Sequence, residues 1–237
     1  MKISGKHGHP SGDPGTEART AMERSGLYGF LATVFRSEPT QTQIKGMKSS
    51  SFQEALGELD FGFLDNNEEE LVQELAVEYT ALFLGPGGHV SPHESVQVEE
   101  GGQLLGEAAT IVRKYIEACG FEYDPEYHGL PDHISTELEF LAEVTRREAV
   151  AWQERKFDKT FNCLEFEREF LELHPGRWIP AFCDKVLERA ELPFYRRIVE
   201  LTRDFLKEEM IEINRRRALA QSLQTKEWPV QANHGHC

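Results

Sequence analysis

The 237-residue sequence has little cysteine, little positive charge and no long apolar run. Its cysteines, Cys119, Cys163, Cys183 and Cys237, are widely spaced with no C-x-x-C pair, which excludes a disulfide framework and leaves them as free thiols. Lys and Arg number 26 against 41 Asp and Glu, giving a net charge of −15. That balance opposes binding to nucleic acid, because affinity for a phosphate backbone comes from Lys and Arg. No apolar stretch approaches the roughly 20 residues of a membrane-spanning helix. The opening MKISGKHGHPSGDPG lacks the hydrophobic segment of a signal peptide, so a cytoplasmic protein is expected.

Catalytic signatures are missing too. There is no G-x-x-x-x-G-K-[ST], G-x-G-x-x-G, G-x-S-x-G or H-E-x-x-H. Gly85-Pro86-Gly87-Gly88 follows a helical pattern instead of a strand, and no Lys stands where it would reach a phosphate. Neither an enzyme nor a resident cofactor is expected.

What the sequence does have is a 39% apolar fraction with 15 Phe, enough to bury a sizeable core. Met22, Leu27, Phe30, Leu31 and Val34 recur at helical spacing from about Glu17 to the Ser37-Glu38-Pro39 break. A weaker helix is expected around Phe52 and Leu56. Asn66-Asn67-Glu68 reads as a cap before a stripe of Leu71, Leu75, Tyr79 and Leu82, which the Gly85–Gly88 loop ends. Glu99 to Ala118 repeats the pattern through Leu104, Leu105, Ala108, Ile111, Val112 and Tyr115, and Asp132 is the expected N-cap of the next helix, carrying Ile134, Leu138, Leu141 and Thr145. Further helices fit Phe157 to Leu173, Trp178 to Ala190, and Pro193 to about Ala220. No segment alternates like a strand. The expected fold is all-α, a single bundle or orthogonal array of about eight to ten helices over residues 17–220. Residues 1–16 and 221–237 are expected to be flexible tails, and residues 120–131 a hinge.

Two loops carry candidate chemistry. Tyr79 to Val96 delivers aromatics to a Gly/Pro loop that ends in Pro92, His93, Glu94, Ser95 and Val96. Pro131 to Phe140 places Asp132, His133 and Glu137 at a helix start. Capping and loop packing are the competing reading of both, and plain core the competing reading of the Tyr79, Leu82 and Phe83 stripe. His89, His93, His133 and Glu137 also admit a metal-dependent hydrolase or nucleotide-binding protein, although they lack the second recognisable ligand pair of a zinc site. A third alternative is an acidic adaptor that docks a folded partner.

Tyr79…Leu82-Phe83 followed by Gly85-Pro86 and Pro92-x-Glu94-Ser95-Val96, then Pro131-Asp132-His133-x-x-x-Glu137-Leu138-x-Phe140, then His174-x-x-x-Trp178-x-Pro180-x-Phe182 with Phe194-Tyr195, resemble the TorD/DmsD branch of the TorD/DmsD/NarJ redox-enzyme maturation chaperones. The resemblance spans about Glu17 to Phe205. It implies an all-α cytoplasmic chaperone, without catalytic activity, that binds the catalytic subunit of a molybdopterin-dependent oxidoreductase and its twin-arginine signal peptide until the cofactor is inserted. It also implies a peptide-binding surface at Tyr79, Phe83, Pro92, Glu94, Ser95, Val96, Asp132 and His133, and a monomer or domain-swapped dimer. His93 departs from the family, where an aromatic is common. Two leader arginines call for carboxylates beside an apolar groove, a role for which Asp132, Glu94 and Glu137 are candidates. His133 would then make binding pH-sensitive near neutrality.

Overall fold

The computed structural model describes residues 12–49, 67–86, 88–99, 101–121 and 129–232, with side chains up to Thr225. The regular structure among them is helical: α1 (Pro14–Arg36), α2 (Gln41–Met47), α3 (Glu68–Tyr79), α4 (Glu94–Val98), α5 (Glu107–Ala118), α6 (Ile134–Gln153), α7 (Phe157–Leu173), α8 (Pro175–Leu187) and α9 (Pro193–Ala232). Local chemistry sets most of the starts. Asp13 caps α1 by accepting from Thr16 N at 3.0 Å, with Pro14 in the first turn. Thr40 and Gln43 form a reciprocal capping box on α2. Asn67 caps α3 through Glu69 N.

Several boundaries differ from the sequence reading. α1 begins at Pro14, and α9 continues past Ala220 to Ala232. Glu99 to Gly106 is a loop between α4 and α5, because Gly101, Gly102 and Leu105 take positive φ that no helix admits. α8 starts at Pro175, so Trp178 lies inside it. Phe52, Leu56 and the centre of the expected 120–131 hinge lie outside the described residues.

α1 packs along α6, while α7 and α8 pack against α9. The main core gathers Tyr28, Leu31, Phe35, Leu75, Leu138, Phe170, Phe182 and Tyr195. A second cluster, Ala18, Ala21, Ala149, Trp152, Phe157, Leu164, Ile213 and Ala220, fills one end. Between them sits Arg24, only 6% exposed. Its Nε donates to Glu209 at 2.7 Å, its Nη1 to Glu148 at 2.7 Å, and its Nη2 to Glu167. Arg216 reaches Glu209 through both terminal nitrogens at 3.0 Å, and Trp152 Nε1 donates to Glu148 at 2.8 Å. On α1, α6, α7 and α9 alike, the charged residue falls between members of the two apolar clusters, so one guanidinium holds four helices in register.

The α7–α8 corner is tight. A Cβ on Gly176 would lie 2.4 Å from Leu171 O and 2.7 Å from Met210 Sδ, so only glycine fits there. This corner sets His174 and Trp178 against α4 and α6.

Candidate functional site

The two candidate loops meet. Glu94 N donates to Asp132 O and Ile134 N to Pro92 O, each at 2.9 Å, forming an isolated antiparallel bridge between His93 and His133. The two imidazoles pack edge to face with centroids 4.9 Å apart. Asp132 Oδ2 accepts from Ser95 N at 2.9 Å across 37 positions of sequence. The N-cap of α6 is therefore His133, whose Nδ1 accepts from Ser135 N at 3.1 Å, while Asp132 secures the first turn of α4. The expected N-cap role of Asp132 is corrected accordingly: its carboxyl is taken by a distant helix.

The three carboxyls expected to meet arginines are all buried. Glu94 Oε2 lies 2.8 Å from His174 Nδ1, and Glu137 Oε2 accepts from Trp178 Nε1 at 2.9 Å. Burial and the adjacent charge of Glu94 hold the Glu137 carboxyl well above the usual carboxylate range. Among the described residues, Ser95 Oγ, Asp132 Oδ1, Glu137 Oε1 and His174 Nε2 have no hydrogen-bond partner. His174 and Trp178 were not singled out as site residues, yet their i, i+4 spacing aims both at these carboxyls.

Tyr79 and Phe83 are buried. Tyr79 Oη donates to Phe35 O at 3.0 Å, and burial pushes its hydroxyl up to about 12. Phe83 stacks on Phe182 and meets Tyr79 edge-on, at centroid distances of 6.0 and 5.0 Å. Both rings sit in the main core. The reason is the π-helical turn Thr80–Leu84, which continues α3 and rotates Leu82 and Phe83 inward before Gly85 N closes on Thr80 O. Pro92 is buried, whereas Val96, His93 and His133 remain half-buried and line the surface over the bridge.

His133 does not titrate near neutrality. Burial, the neighbouring His93 ring and Arg36 push its pKa down to about 3, and burial lowers that of His93. Arg36 is paired with Glu139, and both side chains are exposed. Among the described residues no group of three or more His, Cys, Asp or Glu is placed to hold a metal. His89 instead donates through Nδ1 to Gly85 O at 2.9 Å, while Glu137 is turned to Trp178. Cys119, Cys163 and Cys183 are free thiols, and among the described residues no helix is long and apolar enough to cross a membrane.

Among the described residues the fold is all-α, and its distant loops are clipped together beside a buried carboxyl–imidazole cluster. Comparison with known proteins gives this class a family. A family model described as nitrate reductase delta subunit matches residues 46–184, and the chain belongs to that family. A chaperone protein TorD of Vibrio parahaemolyticus is 24% identical over 202 residues, covering 78% of this chain and 92% of that protein. The TorD chaperone of Photobacterium profundum is 29% identical over 134 residues, covering 56% and 61%. The crystal structure of a putative redox enzyme maturation protein from Archaeoglobus fulgidus shares the fold, with a TM-score of 0.50, 24% identity, and coverage of 78% of this chain and 93% of that one.

Proposed function

We propose that this protein is a TorD-like chaperone of redox-enzyme maturation, which binds the catalytic subunit of a molybdopterin-dependent oxidoreductase through its twin-arginine leader in the cytoplasm. It catalyses no reaction of its own. The observation that carries this reading is the bridge joining Pro92–Glu94 to Asp132–Ile134, which brings together the two motifs on which the resemblance to the chaperone family rests, with His93 and His133 half-buried above it.

The division of labour differs from direct pairing of arginines with Asp132, Glu94 and Glu137. Asp132 holds the backbone of the facing loop through Ser95 N, while Glu94 and Glu137 tie the two loops to the side chains of His174 and Trp178. Peptide contact falls to His93, Val96 and His133 and to exposed acids such as Glu139. A net charge of −15 raises the encounter rate with a basic leader, an effect that fades with salt.

The test is affinity capture from the native host with mass spectrometry of the bound proteins, followed by calorimetry with the leader of the captured subunit. A molybdopterin-dependent subunit whose leader binds at micromolar concentration is the expected result. Capture without such a subunit, or binding indifferent to its leader, would return the adaptor reading.

A further inference from the structure

The Gly101–Gly106 loop carries two apolar side chains that the core does not use. Leu104 is 55% and Leu105 63% exposed, side by side. Leu105 holds φ +63°, the left-handed region that a branched side chain rarely occupies, and gains no burial in return. The loop nevertheless has a defined base. Glu99 Oε1 accepts from Ala108 N at 2.9 Å, and Gly102 N donates to Glu99 O at 3.2 Å. It also lies against the candidate site: a Cβ built on Gly102 would sit 3.4 Å from Val96 O and 3.7 Å from Val96 Cγ1.

Half-buried Glu99 and exposed Glu107 flank the pair. An apolar tip with acidic flanks, joined to the bridge through Val96, fits a chain that is cationic at one point and apolar just beyond it. We propose that Leu104 and Leu105 form the contact for the apolar stretch that follows the arginines of a leader peptide. This rests on the leader-binding reading above. The bridge and its acidic surroundings then meet the cationic part, while the leucine tip measures the apolar part and favours leaders with a long hydrophobic segment.

The experiment uses full-length protein and a set of synthetic twin-arginine leaders from molybdoenzyme catalytic subunits of the native host, titrated by calorimetry. Each leader is paired with a version whose apolar stretch is replaced by serine and whose arginines are kept. The variants are Leu104→Ala, Leu105→Gly and the double substitution. Because glycine accepts positive φ, Leu105→Gly is expected to leave the thermal midpoint unchanged or raised while weakening binding. The double variant is expected to lose about tenfold or more in affinity for the intact leader. Against the serine version it should match the parent.

Equal weakening against both leaders would mean that the loop only shapes the bridge, and would overturn the inference. Unchanged affinity in the double variant, with the parent binding normally, would overturn it and leave the leader-binding reading standing. A parent that binds no leader removes both. If the parent sediments as a dimer that the double variant splits, with leader affinity intact, the leucines join two copies and the inference is likewise overturned.

Discussion

Replacing Asp132 by alanine separates a residue that touches the leader from one that positions the loop. The substitution removes the acceptor of Ser95 N, leaving a buried backbone donor unpaired, while the backbone bonds Glu94 N to Asp132 O and Ile134 N to Pro92 O survive. A lost bond of this kind costs about 1–3 kcal/mol. Asp132 Oδ1 is itself buried without a partner, and its removal offsets part of that cost, so the lower half of the range is expected. Against a typical global stability of about 5–15 kcal/mol, the fold survives. Amide exchange of residues 94–98 should accelerate by about tenfold, since about 1.4 kcal/mol is a factor of ten, and leader affinity should fall in parallel. Asp132→Asn keeps an acceptor for Ser95 N and should retain both. An alanine variant with native exchange in residues 94–98 but no leader binding would refute the argument, because Asp132 would then be in direct contact with the peptide.

Three further outcomes follow from the buried charges. Arg24→Met leaves Glu148, Glu167 and Glu209 without their shared cation and should cost about 3–5 kcal/mol in denaturant unfolding. Burial and the charges of Glu148 and Glu209 hold Glu167 well above its usual 4.5, even against Arg24, so the folded state keeps a proton that the unfolded chain has lost. Stability from this group therefore falls as pH rises above 4.5, by at most about 1.4 kcal/mol per pH unit, and a Glu167→Gln variant should lack that slope. His133 has the opposite sign. With a folded pKa of about 3 against an ordinary 6.5, the unfolded chain binds the proton first, so its contribution declines as pH falls below 6.5. Its ring resonances should not titrate between about pH 5 and 8, and leader affinity should show no His133-dependent step there.

Much of the helical order was legible in sequence because caps and 3.6-residue periodicity are local. Asn67 caps α3 as expected, and Phe157–Leu173 forms α7 with the expected ends. Legibility failed where a distant element decided the outcome. Asp132 looks like a cap, but the bridge gives its carboxyl to Ser95 and passes the cap to His133. Leu104 and Leu105 continue an apolar pattern, yet the glycines around them break the helix. Nothing in the sequence of one helix reveals that Arg24 is met by Glu148, Glu167 and Glu209 from three others. For the candidate site, the motifs pointed to two loops that meet in the structure, but not to the depth of their carboxyls. Depth is set by the α7–α8 corner, which brings His174 and Trp178 over Glu94 and Glu137.

On the proposed function, the surface over the His93–His133 bridge receives a twin-arginine leader. Calorimetric titration of the full-length protein with leaders of the host's molybdoenzyme subunits, beside versions with both arginines changed to glutamine, tests it most directly. Micromolar binding of at least one leader, weakened about tenfold or more by the glutamine changes and by raised salt, is the expected result. No measurable heat with any leader, or equal affinity for the glutamine versions, would contradict it.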